Sequence, residues 1–194
     1  MKIRCITNRH LAEGDYFAQI ERIAQAGPEA LIVREKDLPE AEYEQLAARV
    51  MQICGSYRIP CILHTFTQAA IRLKAEAIHL PLRELLSMPE EQKACFQVIG
   101  ASVHSVEEAL AAQNAGASYL TASHIYATDC KKGLPPKGIP FLQEVCQATE
   151  LPVYALGGIC ADNAKECIQA GAEGVCIMSE CMKSEDVGRI LKEL

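Results

Sequence analysis

Short apolar, β-branched runs alternate with amphipathic helical stretches from one end of this chain to the other, and that alternation most restricts the fold. Eight runs read as strands: Ile3–Thr7, Ala30–Arg34, Cys61–Thr65, Ala77–Leu80, Val98–Val103, Tyr119–Ser123, Val153–Leu156 and Gly174–Ser179. Between them lie segments such as EAEYEQLAARVMQIC and SVEEALAAQNAGA, whose apolar positions recur three and four residues apart, the period of a helix face. Strands separated by helices of this length belong to repeated βα units around a parallel sheet. AGP at 26–28, AGAS at 115–118 and AGAE at 170–173 each put a glycine where a helix ends before a strand, the position that favours a left-handed backbone. LRELLSMPEEQKACF, after the fourth strand, is interrupted by Pro89 and is predicted to be short or split. Eight such units predict a (β/α)8 TIM barrel, a small single domain over residues 1–194 against the typical ~250. A doubly wound open sheet is the alternative, but the Gly-x-Gly-x-x-Gly expected after its first strand is missing.

Charge narrows the partners. With 19 Lys and Arg against 25 Asp and Glu, the net charge is -6, which repels the phosphates of nucleic acid and anionic membrane surfaces. No run approaches the roughly 20 apolar residues that span a bilayer, and MKIRCITNRHL lacks a signal-peptide core, so a cytoplasmic protein is expected. The ten cysteines contain no Cys-x-x-Cys, and most sit in apolar runs where a thiol packs as a small hydrophobe, consistent with a reducing compartment.

In a barrel, chemistry gathers where strands end. The second strand ends in IVREK, and residues two apart share a face, so Arg34 and Lys36 can form an anion clamp or instead pair with Glu35 and Asp37. His64 closes the third strand, Ser102 and His104 share a face after the fifth, and Ser123 and His124 close the sixth. His79, in mid-strand, reads as a hydrogen-bonded wall residue. Imidazoles suit zinc, but the strand ends supply no carboxylate or His-x-His partner, so no metal site is predicted. Gly157, Gly158 and Ser179 follow the last two strands, where barrels commonly hold phosphate through backbone N–H groups. Beyond His124, the loop ATDCKKG leaves three readings. Cys130 is a nucleophile candidate without an oxyanion motif, Lys131 and Lys132 read as an anion-binding or loop-ordering pair, and His124 is an acid–base candidate.

IVREK, IGASVHSVEEALAAQNAGASYL, ASHIYATDCKKG, PVYALGGI and GAEGVCIMS together run along nearly the whole chain, and in them it resembles the thiamine phosphate synthase superfamily, most closely its TenI-type thiazole tautomerase branch. The branch rests on few positions. Where synthases usually have Asn-Asp after the third strand, this chain has His64 and Thr65; where they have Gly-Gln-x-Asp after the fourth, it reads Pro81 to Glu84. Their Thr-x-Thr-Lys loop is here Thr128, Asp129, Cys130 and Lys131, and their Gly-Pro before it is Ser123 and His124.

The resemblance implies a TIM barrel binding a small thiazole phosphate, and an isomerase that aromatises a 2-carboxythiazole phosphate tautomer with His124 moving the proton. It places Arg34, Lys36, His64, Ser102, His104 and Lys131 around the substrate and Gly157, Gly158 and Ser179 on its phosphate, with no cofactor or metal and a possible homo-oligomer. Two alternatives stay open: thiamine phosphate synthase, a transferase joining a pyrimidine pyrophosphate to the thiazole phosphate with magnesium, and a non-catalytic protein binding thiazole phosphate.

Overall fold

Eight parallel strands close in sequential order into a barrel in the computed structural model, which describes residues 1–128, 131 and 133–194. The chain runs β1 (Lys2–Ile6), α1 (Tyr16–Ala26), β2 (Ala30–Val33), α2 (Glu40–Tyr57), β3 (Cys61–His64), α3 (Thr67–Arg72), β4 (Ala77–Pro81), α4 (Leu82–Ser87) and α5 (Glu90–Lys93). It continues through β5 (Val98–Val103), α6 (Val106–Asn114), β6 (Tyr119–Ser123), α7 (Gly138–Ala148), β7 (Val153–Leu156), α8 (Ala164–Gln169), β8 (Gly174–Ile177), α9 (Ser179–Lys183) and α10 (Val187–Glu193). This is the (β/α)8 architecture, and the predicted split at Pro89 appears as the break between α4 and α5.

Local chemistry sets the boundaries. Asp15 caps α1 by accepting from the Ala18 N–H at 2.8 Å, and Ser105 caps α6 by accepting from Glu108 N–H at 3.1 Å. Gly27 ends α1 at φ 76°, a backbone conformation that a Cβ disfavours. Five strands end elsewhere than the sequence predicts: β1, β3 and β4 by one residue, at Ile6, His64 and Pro81, and β2 and β8 for reasons of local bonding. β2 stops at Val33 because the Arg34 N–H donates to the Thr7 side-chain oxygen at 2.9 Å, so a side chain takes over from the ladder. β8 stops at Ile177, and Ser179, expected as its last residue, opens α9 instead.

The period of two along each strand sorts side chains into two cores. On β2, Leu31 and Val33 point outward into the layer between barrel and helices, where they join Ile20, Ile23, Tyr43 and Val50. Ala30 and Ile32 point inward, with Ile6, Ile62, Tyr119, Tyr154 and Cys176. The inner set is small and apolar only in part, because Arg4, from β1, also enters it. Its guanidinium carbon lies 4.0 Å over the Tyr119 ring and 3.7 Å over the Tyr154 ring, a sandwich in which both aromatic faces stabilise the cation. Arg4 Nε donates to Glu29 at 2.8 Å and Nη2 to the Tyr154 hydroxyl at 2.9 Å.

Room for these rings comes from glycine. A Cβ on Gly100 of β5 would stand 2.2 Å from Tyr119 Cζ and 2.5 Å from His79 Nδ1, both inside the barrel. Gly100→Ala is therefore expected to cost about 1–3 kcal/mol through overpacking, measured as a lower urea midpoint. An unchanged midpoint would show that the interior rearranges freely around position 100.

Candidate functional site

Where the strands end, two adjoining cavities open at one mouth of the barrel. The deeper, of about 330 Å³, is walled by Arg34 and Lys36 after β2, His64 on β3, His79 on β4, Ser102 and His104 at β5, Thr121 and Ser123 on β6, and Lys131. The other, of about 250 Å³, is walled by His124, Thr128, Gly157, Gly158, Met178 and Ser179. Both include Ile6, Arg34, Ser123, Lys131 and Leu156 in their walls, so these residues form the boundary between two lobes.

The structure thus gathers the predicted residues in two groups. Arg34, Lys36, His64, Ser102, His104 and Lys131 surround the deep lobe, and His124, Gly157, Gly158 and Ser179 the second. Cys130 and Lys132 lie outside the described residues, as does Asp129. Thr121, Glu108 and Arg83 also line the deep lobe and were missed from sequence. Thr121 was within reach, since it lies two residues before Ser123 and shares its face. Glu108 and Arg83 sit on helices after the strands, and nothing local in the sequence turns them toward the mouth.

The deep lobe is electropositive because the flanking carboxylates are engaged elsewhere. Glu35, between Arg34 and Lys36, is buried and turned away, accepting from the Thr7 hydroxyl at 2.7 Å and from the Arg9 backbone N–H at 3.0 Å. Asp37 is held by the Arg9 guanidinium at 2.6 Å and by His10 at 2.9 Å. Arg34, Lys36, Arg83 and Lys131 therefore line the cavity, and among the described residues the one carboxylate on its wall, Glu108, accepts from the His104 backbone N–H at 2.6 Å. Burial, with Arg34 and Lys131 close by, pushes the Lys36 ammonium below the usual lysine range. An anionic ligand relieves this repulsion.

The histidines divide by role. His64 and His79 stack with centroids 5.5 Å apart. Burial, together with its neighbour His79 and the cations Lys36 and Arg34, holds His64 well below the ordinary imidazole value. His79 is lowered to about 3, by burial first and then by Arg4 and Lys36. Both are neutral near pH 7. His104 Nδ1 lies 2.9 Å from the Ser123 carbonyl, which can only accept, so Nδ1 carries a hydrogen. His124 is 5% exposed, with Nε2 3.4 Å from the Leu134 carbonyl.

The glycine pair has a tighter reason than the one expected. At Gly157 (φ 104°) a Cβ would meet His124 Cβ at 2.4 Å, and at Gly158 (φ 66°) it would meet the Ala127 carbonyl at 2.4 Å. The strand-seven turn packs directly on the segment after β6, and only glycine allows both the backbone angle and the approach.

The magnesium ion implied for synthases does not fit this donor set. His64 and Thr65 stand at one expected ligand position, and Glu84 at the other is exposed on α4, outside the lobe walls. Among the described residues no group of three or more His, Cys, Asp or Glu is arranged to hold a metal.

Comparison with known proteins decides the family. The model described as thiamine monophosphate synthase matches residues 3–181. The chain belongs to that family. It is 29% identical over 189 residues to thiamine-phosphate synthase 2 of Streptococcus pneumoniae serotype 4, covering 96% of this chain and 90% of the relative. It is 28% identical to thiamine-phosphate synthase of Clostridium acetobutylicum, covering 100% of this chain and 94% of that one. Thiamine phosphate pyrophosphorylase from Pyrococcus furiosus superposes over 100% of this chain and 93% of its own with TM-score 0.85 and 31% identity. Family membership implies small phosphorylated substrates of thiamine biosynthesis, and no helix among the described residues is long and apolar enough to cross a membrane.

These relatives overturn the expected isomerase. The thiazole tautomerase reading rested on Ser123, His124 and a few loop positions, whereas full-length relatives carry the names of transferases. The aromatisation expected of His124 is withdrawn with that reading.

The neutral histidines make stability depend on pH. Unfolding releases His64 and His79 to values near 6.5, so the unfolded chain binds protons that the fold excludes. Stability is full above about pH 6.5 and is lost as pH falls toward 3, with a slope of up to about 1.4 kcal/mol per pH unit for each histidine. Urea titrations at pH 7.5, 6 and 5 should show the decline, and His79→Gln should reduce its slope. A flat profile between pH 7.5 and 5 would mean that both imidazoles protonate inside the fold.

Proposed function

We propose that this protein is a thiamine-phosphate synthase, joining a pyrimidine pyrophosphate to a thiazole phosphate in the cytoplasm. The observation that carries this reading is the pair of adjoining lobes with Arg34 and Lys131 on the boundary. A transferase has two substrates to hold in contact, and full-length relatives named as synthases support the same reaction.

In this reading the deep lobe takes the pyrimidine pyrophosphate, with its pyrophosphate at the mouth between Arg34, Lys36 and Lys131. The second lobe takes the thiazole phosphate, its phosphate at the turn of Gly157 and Gly158 and the first residues of α9, including Ser179. The reaction breaks the bond between the pyrimidine methylene carbon and the pyrophosphate oxygen, and pyrophosphate leaves with the electron pair. The thiazole ring nitrogen supplies its lone pair to the same carbon, forming the carbon–nitrogen bond. Three cations at the departing oxygens stabilise the charge that develops there, and the shared wall holds nucleophile and carbon in contact, which removes much of the entropic cost of their meeting. His124, against Gly157, forms the wall of the thiazole lobe.

The test is direct. Purified protein with both substrates, in buffer containing magnesium, should form thiamine phosphate, detected by oxidation to fluorescent thiochrome, and omission of either substrate should abolish the signal. Arg34→Ala and Lys36→Ala should each lower kcat/KM by about 10- to 100-fold, the value of a lost charge-assisted hydrogen bond. No thiamine phosphate with both substrates present would overturn the proposal.

A further inference from the structure

His79 is joined to the barrel interior by contacts that serve no evident purpose in packing alone. The strand register places His79, Gly100 and Tyr119 side by side across β4, β5 and β6, with Ser102 and Thr121 paired one layer nearer the mouth. Tyr119 Oη lies 2.9 Å from His79 Nδ1, and His79 Nε2 lies 2.8 Å from Ser102 Oγ. Gly100 is what lets the first of these bonds exist, since its Cβ would stand 2.4 Å from Tyr119 Oη and 2.5 Å from His79 Nδ1.

The direction of each bond follows from Arg4. An arginine side chain only donates hydrogen bonds, and Arg4 lies over the Tyr119 ring with its Nη1 otherwise unpartnered. The Tyr119 hydroxyl hydrogen turns away from that cation, and among the described residues the acceptor it meets is His79 Nδ1. Burial and the nearby cations keep His79 neutral, so its single ring hydrogen sits on Nε2 and is donated to Ser102 Oγ. Thr121 Oγ1 lies 3.3 Å from the same Nε2, and with the hydrogen on Nε2 the Thr121 hydroxyl donates instead to Ser102 Oγ, at 3.4 Å. Both bonds fall on the oxygen of Ser102 and leave its hydrogen for the cavity, on whose wall it stands.

We infer that Tyr119 and His79 are positioning residues that fix Ser102 as a hydrogen-bond donor into the deep lobe, which therefore selects a ligand presenting an acceptor lone pair there. Resting on the synthase reading, that acceptor is a ring nitrogen of the pyrimidine. The chain Arg4, Tyr119, His79, Ser102 passes the orientation of a half-buried cation to the substrate, and no proton needs to move along it.

The tautomer of His79 is read in the unliganded protein by two-bond proton–nitrogen correlation spectra of ¹⁵N-histidine-labelled protein, its signal assigned by its loss in His79→Gln. The expected result is the Nε2–H form in wild type and a mixture of tautomers in Tyr119→Phe, which removes the donor and keeps the ring. Binding of pyrimidine pyrophosphate should weaken about 3- to 10-fold in both Tyr119→Phe and Ser102→Ala, while inorganic pyrophosphate, which lacks the ring, binds both variants as it binds wild type. An Nδ1–H tautomer in wild type overturns the inference, as does a Tyr119→Phe protein whose tautomer and affinity are unchanged. If wild type shows the Nε2–H form but binds no pyrimidine pyrophosphate, the pyrimidine assignment and the synthase reading fall, while the donor polarity of Ser102 stands.

Discussion

Closing eight parallel strands into a barrel forces every second side chain inward, and in this protein the inward column cannot be filled with hydrocarbon alone. Arg4 is half-buried there between two tyrosine rings, a position that would be costly for an isolated cation. Stacking, Glu29 and the Tyr154 hydroxyl satisfy part of it. Its remaining influence falls on Tyr119 and, through it, on His79. Gly100 and Gly174 make the space, for a Cβ on Gly174 would stand 2.9 Å from Tyr154 Cε1. The polar interior continues without a break into the wall of the deep lobe, so packing and ligand recognition depend on the same residues.

The second organising fact is the separation of charge at the mouth. Beyond the end of β2, Arg34 and Lys36 turn to the cavity while Glu35 and Asp37 turn to Thr7, Arg9 and His10, so that among the described residues Arg34, Lys36, Arg83 and Lys131 line an open space. Such an arrangement is unfavourable in the empty protein and is stabilised by a multiply charged anion. It also bears on the metal question, because the carboxylates that would gather a divalent ion are either turned away or replaced.

Much of this was legible in the sequence. Alternation of apolar runs and helical periods implied the barrel, the glycine turns marked unit boundaries, and the two-residue rule put Arg34 and Lys36 on one face. The end of β8 was not legible, since an apolar run gives no sign of where a strand turns into a short helix such as α9. Nor was the Arg4, Tyr119 and His79 contact, which joins strands far apart in the chain and depends on register across the barrel. The glycine pair at 157 and 158 was visible, but the Cβ clash with His124 and Ala127 was not. The reaction was misread for a different reason. A few substituted positions at the mouth were weighed as an isomerase signature, whereas similarity along the whole chain points to the transferases.

In the synthase reading the two lobes are separate, simultaneous sites for two substrates. Its most direct measurement is isothermal titration of pyrimidine pyrophosphate into protein saturated with a thiazole phosphate analogue whose ring lacks the nucleophilic nitrogen. Two separate sites require one equivalent bound to the saturated protein, with an affinity equal to or tighter than that for free protein. Strict competition between the two ligands would contradict it, because it would place both in a single site.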